Sequence, residues 1–364
     1  MKNASELATQ GKGRDLWFDN IKGFLIICVV VGHMVGSAAA EYPTMAFLYN
    51  FIYTFHMAAF AMVSGYFMKR RVAQKDYASF INKMLVPYLC AQVFVYLIRF
   101  IVPTSVKTLA LDNVSTGTTF SFLFPLYQLW YFAAMMFAFL FCVWVKADKK
   151  PLRAFVLSLL LSVVSGCFTY AQVFKLSKSL SVLPFFVIGF ICTSDFVANL
   201  KKRKLLIIPS VLIIGGAAYC MWALRHEDSP VSIFAFTSRL YSFAFDLPFK
   251  YAVLVWLATI FAGILIGVSF FVICPRRKTP LAVLGEKSNY IFVLHALPVA
   301  IAKDMFLNPD YSFELDTPLN KAIYLLICVA ICYLLVSKPV TALTRPIIEP
   351  KFDIRKVGEY LKIK

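Results

Sequence analysis

Ten stretches of about twenty predominantly apolar residues run through this chain, at roughly 17–36, 47–68, 84–103, 122–145, 152–170, 180–198, 204–224, 252–274, 285–303 and 319–337. Each is long enough to cross the ~30 Å hydrocarbon core of a bilayer as a helix. The sixth and ninth are the weakest of the ten. Hydrophobic residues make up 60% of the 364, charged ones only 15%, and the mean hydropathy of +0.74 excludes a soluble domain of this length. The expected fold class is therefore all-α, a polytopic transmembrane helix bundle. No connecting loop is long enough to hold a folded domain outside the membrane, so any chemistry must be built from the bundle itself.

The loops alternate in charge. Lys2, Lys12, Arg14 and Lys22 precede the first span, and the loop from Ser37 to Ala46 has no basic residue. Lys69, Arg70, Arg71, Lys75 and Lys83 follow the second span, whereas the loop at 104–121 carries only Lys107. Later basic clusters at 146–153, 201–204 and 276–278, and the tail from Lys338, fall on the same side. By the positive-inside rule that side is the cytoplasm, and both termini lie there. The chain divides into a cytoplasmic N-terminal tail (1–16), a transmembrane domain (17–337) and a basic cytoplasmic C-terminal tail (338–364). Met1 to Gly13 is polar and no small-residue cleavage site follows the first apolar run, so no signal peptide is expected. The formal charge of +18 is spread over short membrane-flanking loops, which argues for attraction to anionic lipid headgroups and against nucleic-acid binding. The nine cysteines lie in or at the ends of apolar spans and none forms a Cys-x-x-Cys, so they read as packing residues and no metal site is expected.

Ionisable groups at membrane depth are costly and mark function by default. His33 lies within the apolar run Phe24 to Val35, eleven residues after Lys22. Eleven residues return to nearly the same helix face and span about 16 Å. The same arithmetic puts His56 about 14 Å down from the outer surface and His295 near the midplane. Three of the four histidines thus converge on one layer; His226, beside Arg225 and Glu227 in an external loop, reads as solvated. An intramembrane histidine can also be a packing residue satisfied by neighbouring hydroxyls or carbonyls. Gly32 and Gly36 flank His33 in a Gly-x-x-x-Gly spacing, which predicts close approach of another helix.

Several stretches resemble one family. Arg14-Asp-Leu-Trp-Phe-Asp-Asn-Ile-Lys22-Gly, followed by an aliphatic run to Val31-Gly32-His33, is similar to the start of the acyltransferase-3 family, in particular its sugar O-acetylase branch. Phe55-His56-Met57 leading into Ser64-Gly65-Tyr66-Phe67 resembles the second helix of that family. Lys83 before Pro87-Tyr88, Leu129-Trp130-Tyr131-Phe132, Pro184-Phe185-Phe186 with Gly189-Phe190, and Gly285 to His295 resemble its later segments, in order. Lys22 stands where many relatives have arginine, and Asn82-Lys83 lacks the arginine pair of many members; an ammonium cannot grip a phosphate bidentately as guanidinium does.

The resemblance implies transfer of an acyl group, usually acetyl from cytoplasmic acetyl-CoA, to a hydroxyl of a cell-surface glycan or its lipid-linked precursor, in a bacterial plasma membrane. On that reading His33 is a general base or transient acyl carrier, with His56 or His295 as a second base, partner or donor. Lys22, Lys69, Arg70, Arg71 and Lys83, with Arg276 and Arg277, would hold the CoA phosphates, although topology alone also accounts for such cations. Ser64, Tyr66 and Trp130 would line the cavity. In the external loop from Arg225 to Tyr251, aromatics with Arg239 would meet the acceptor, unless they form a membrane-interface belt. A transporter or flippase without covalent chemistry is the alternative, with the histidines, Arg99 and Asp195 as substrate or proton sites.

Overall fold

The computed structural model describes residues 14–101, 121–166, 173–225, 248–307 and 315–355, which are helical with no strand among them. Seven helical runs are long and apolar enough to cross a membrane: Leu16–Val35, Pro43–Ala73, Tyr77–Ile98, Tyr127–Trp144, Lys204–Ala223, Lys250–Ile273 and Pro318–Leu335. Two further pairs are bent, Val173–Ser181 with Leu183–Ile191 by 57° and Ser288–Leu294 with Ala296–Leu307 by 54°, which raises the number to as many as nine. The first pair begins seven residues before the sixth window and overlaps it over 180–191, and the second covers most of the ninth. Their breaks explain the weaker signal, because neither half alone is long enough to span. The fifth window holds a helix of 15 residues, Pro151–Ser165, which at about 1.5 Å per residue falls short of the hydrocarbon core. The sixth window ends early: Cys192 is extended, and Thr193 caps a separate amphipathic helix, Ser194–Lys202, by accepting from Phe196 N–H.

We label the elements that build the site α1 (Leu16–Val35), α2 (Pro43–Tyr53), α3 (His56–Ala73), α4 (Val86–Ile101), α5 (Trp130–Trp144), α6 (Pro151–Ser165), α7 (Leu176–Ser181), α8 (Leu183–Ile191), α9 (Ser194–Lys202), α10 (Ile207–Ala223), α11 (Phe249–Ile273), α12 (Pro280–Glu286), α13 (Ser288–Leu294), α14 (Ala296–Leu307) and α15 (Pro318–Leu335). Helix α1 is the axis of the bundle. Its sides are buried against α2, α3, α12, α13, α14 and α15. In lipid there is no solvent-driven preference for apolar contact between helices, so close packing depends on small residues. Two such crossings fix the frame. A Cβ on Gly23 of α1 would collide with the Leu281 carbonyl of α12, and one on Gly285 with the Asp19 carbonyl of α1. Gly65 of α3 and Gly189 of α8 meet reciprocally, against the carbonyls of Phe186 and Met62. The approach expected at Gly32 and Gly36 is made by side chains: the Tyr53 and Tyr49 rings of α2 lie 3.1 and 3.0 Å from where their Cβ atoms would be.

The N-terminal motif is a lock. Asp15 caps α1 by accepting from Trp17 N–H, the Trp17 indole donates to Phe271 O of α11 (3.0 Å), and buried Asn20 donates to Pro275 O and Arg277 O while accepting from Thr279 Oγ1. The start of α1 is thereby tied to the loop between α11 and α12. At the same end, Asn82 holds the chain's C-terminal segment through Asp353 Oδ1 (3.2 Å) and Ile354 N–H.

Candidate active site

The basic end of the bundle opens into a cavity of about 240 Å³. Lys22, Arg71, Ser288 and Asn289 stand toward the ends of α1, α3 and α13 at that side, Lys83 joins them from the turn 81–85, and Met57, Phe60, Val29 and Phe292 line the deeper part. Ser64 Oγ and Tyr131 OH share a hydrogen bond of 2.9 Å on the wall. The cavity is therefore polar and cationic at one end and apolar within. Its innermost lining residues lie within about one helical turn of the histidines: Val29 four before His33, Met57 next to His56, and Phe292 three before His295.

The three histidines gather at interruptions of helices. His33 is in the last turn of α1, His56 opens α3 after the break at Thr54–Phe55, and His295 sits at the bend between α13 and α14. Broken helices at membrane depth are tolerated only where protein or a cavity surrounds them. The His33 and His295 rings lie 5.2 Å apart, and the Tyr127 ring is 4.9 Å from His33 and 6.1 Å from His295. His56 joins through Tyr53, whose ring is 4.8 Å from His56 and rests on Gly32, the neighbour of His33.

Hydrogen bonding divides the three by role. His295 is fully buried, with Nδ1 2.9 Å from Ile291 O and 3.0 Å from Phe292 O; His56 Nδ1 is 2.8 Å from Ile52 O. A carbonyl can only accept, so each of these Nδ1 atoms carries a proton, and in the neutral imidazole each Nε2 presents a lone pair. His295 Nε2 is buried with no hydrogen-bond partner among the described residues. His33 makes no hydrogen bond among the described residues, so none of them commits its nitrogens.

The cations separate as well. Asp19, buried in α1, pairs with Lys22 Nζ at 2.8 Å and with Arg14, which also reaches Glu286 at 2.7 Å. Lys22 is thus held by a counterion at the cavity mouth. Among the described residues the one side-chain hydrogen-bond contact of Arg71 is with Met68 Sδ, at 3.8 Å, and Lys83 is exposed within the π-helical turn Ile81–Leu85. Lys69 and Arg70 do not line the cavity; Lys69 lies 4.7 Å over the Tyr66 ring and Arg70 is exposed. Tyr66 stacks on Phe18 (4.9 Å), and Trp130 faces Lys178 at 4.2 Å, so Ser64 and Tyr131 do the lining instead. Arg239 and His226 lie outside the described residues, as does the side chain of Arg99; Asp195 is exposed in the first turn of α9.

Two participants were not singled out from sequence. Tyr127 has a positive φ of 47°, which is rare for an aromatic residue and costs roughly 1–2 kcal/mol. The neighbouring Gln128 secures the turn by donating to Val293 O of α13 at 2.9 Å. Asp19 is the other: removal of its carboxylate should leave Arg14 and Lys22 without their shared partner. Asp19→Ala is expected to cost about 1–3 kcal/mol, read as a lower unfolding temperature of the detergent-solubilised protein, with Asp15→Ala, an exposed cap, as the milder comparison.

A multi-pass helix bundle enclosing a polar-mouthed cavity under a layer of histidines defines the class, a membrane acyltransferase, once its sequence is compared with known families. Residues 15–337 match the acyltransferase domain of the acyltransferase-3 family, and the chain belongs to that family. No curated protein and no solved structure matched it.

Proposed function

We propose that this membrane acyltransferase moves an acetyl group from acetyl-CoA, bound at the basic, cytoplasmic end, to a hydroxyl of a cell-surface glycan or its lipid-linked precursor. The observation that supports this reading best is the course of the cavity, from Lys22, Arg71 and Lys83 at the mouth to Val29, Met57 and Phe292 beneath the histidines. A CoA thioester has the matching polarity: anionic phosphates, then a long flexible arm, then the acyl carbon. The span from Lys22 to His33, about 16 Å along one helix, is on the length scale of that arm.

The acceptor hydroxyl gives its proton to His33 as its oxygen attacks the thioester carbonyl. The C–O bond forms, the C–S bond breaks, and the thiolate takes up the proton to leave as free CoA. His56 and His295, each with Nε2 unprotonated, accept hydrogen bonds from neighbouring hydroxyls of the acceptor and so orient the one that reacts. Membrane lipid surrounds the bundle, and the step needs no metal.

Purified protein with acetyl-CoA and a glycan extract should release free thiol in proportion to added acceptor. Thiol release that ignores the acceptor, or none at all, would rule this reading out. Of the neighbouring arginines, only Arg71 should matter for the donor: Arg71→Gln is expected to raise the KM for acetyl-CoA roughly 10- to 100-fold, the effect of losing an ionic hydrogen bond. Arg70→Gln should stay within about twofold, as exposed charges do.

A further inference from the structure

Beyond the histidine layer, away from the basic end, two more lysines are turned into the bundle. Lys303 of α14 is only 6% exposed, and no carboxylate among the described residues forms an ion pair with it. Lys178 of α7 is half-buried, with its ammonium over the Trp130 ring and no acidic partner among the described residues. Both ammonium groups are within electrostatic reach of His33; Lys303 also acts on His295, and Lys178 on His56. Lys303 stands eight residues past His295, roughly 12 Å along the helix axis, and helical side chains lean back toward the N-terminus, so its stem returns toward the layer. The turn that carries Lys178 is pinned to α6: Ser177 Oγ donates to Ser165 O at 2.8 Å, and Ser162 Oγ to Ser181 O at 3.3 Å.

A buried ammonium without a counterion is expensive at membrane depth, and such groups persist where a ligand or ion completes them. The cations at the mouth of the cavity serve the donor end and leave this pair unexplained. Snorkelling to a headgroup accounts for an exposed lysine, but not for one that is nine-tenths buried.

We propose that Lys303, with Lys178, binds an anionic group of the acceptor, a carboxylate or a phosphate next to the hydroxyl that is acylated. This rests on the acyl-transfer reading for the word acceptor, but the anion site itself does not. An acidic sugar would supply a carboxylate; a lipid-linked sugar would supply phosphate. Both present oxygens that an ammonium can meet with charge-assisted hydrogen bonds.

Thermal unfolding of the purified protein with glucuronate, glucose 1-phosphate, inorganic phosphate or glucose tests the site without relying on turnover. At least one anion should raise the unfolding temperature and glucose should not. A response to glucuronate alone points to a glycan carboxylate, and a response to the phosphates alone points to a phosphorylated carrier. Lys303→Met should remove the response while itself unfolding at a higher temperature than wild type, because an uncompensated charge has been replaced by an apolar chain of similar length. Lys303→Arg should retain the response, and Lys178→Met should weaken it. Equal shifts with glucose and glucuronate, or an unchanged anion response in both methionine variants, would overturn the proposal. In the coupled assay, an acidic acceptor should lose roughly 10- to 100-fold in kcat/KM on Lys303→Met, as expected for an ionic hydrogen bond, with the KM for acetyl-CoA unchanged. Neutral and acidic acceptors used equally well would end the anion inference but leave acyl transfer standing. An anion response without any thiol release would do the reverse.

Discussion

Replacement of His33 by Ala should abolish acyl transfer while leaving a folded, membrane-inserted protein. The expected loss in kcat is about 10²- to 10⁴-fold, the range for removal of a positioned general base, and complete if the imidazole itself carries the acyl group. The fold should survive because the His33 ring makes no hydrogen bond to any described side chain, and its contacts to Tyr127 and His295 are ring contacts at 4.9 and 5.2 Å. His295→Ala should behave differently. That ring is fully buried and bonded to two carbonyls at the bend between α13 and α14, so its loss should lower both the rate and the unfolding temperature. Steady-state thiol release and thermal unfolding, measured on the same preparations, separate the two. Wild-type turnover by the His33 variant would remove it from the chemistry.

The second large effect is steric. Gly189→Ala would drive a methyl group into the Met62 backbone, and Gly65→Ala would do the same to Phe186. Backbone in a packed helix cannot step aside as a flexible side chain can, so α3 and α8 must separate. Overpacking of this kind costs about 1–3 kcal/mol or more. Separation would also carry Ser64 and Arg71 out of place, since both project from α3. Gly216→Ala supplies the contrast. Nothing lies within 4 Å of a Cβ there, and a helix gains about 0.5–1 kcal/mol from Gly to Ala. The pair of substitutions should therefore shift the unfolding temperature in opposite directions. A Gly189→Ala protein as stable as wild type would contradict the crossing.

Much of this was legible in the sequence because apolar length and loop charge are set by the bilayer rather than by tertiary detail. Every apolar window contains a helix, and depth counting put His33, His56 and His295 in one layer before any contact was known. The interruptions were not read from the apolar windows, although the one at His295 has a local cause: Pro298 has no N–H to give to Leu294 O, and the helix bends there. Cations at helix ends carry the same ambiguity: Arg70 and Arg71 are adjacent in sequence, and only a 100° rotation about α3 sends one to the cavity and the other to the surface. Trp130 and Tyr131 exchange roles in the same way. Lys178 and Lys303 escaped notice because they stand at the edges of their windows, where topology explains any lysine.

The cavity stops short of the layer, and the aromatic rings of Tyr53, Tyr127, His33 and His295 stand beyond its inner end. The acyl carbon needs only to reach His33, itself one of these rings, whereas a CoA molecule or a hydrated ion would have to pass them. Under the proposed reaction the protein can therefore export chemical modification without opening a leak. Vesicles carrying it should hold their ion gradients during turnover, with the membrane insulating even while the two aqueous phases exchange covalent bonds.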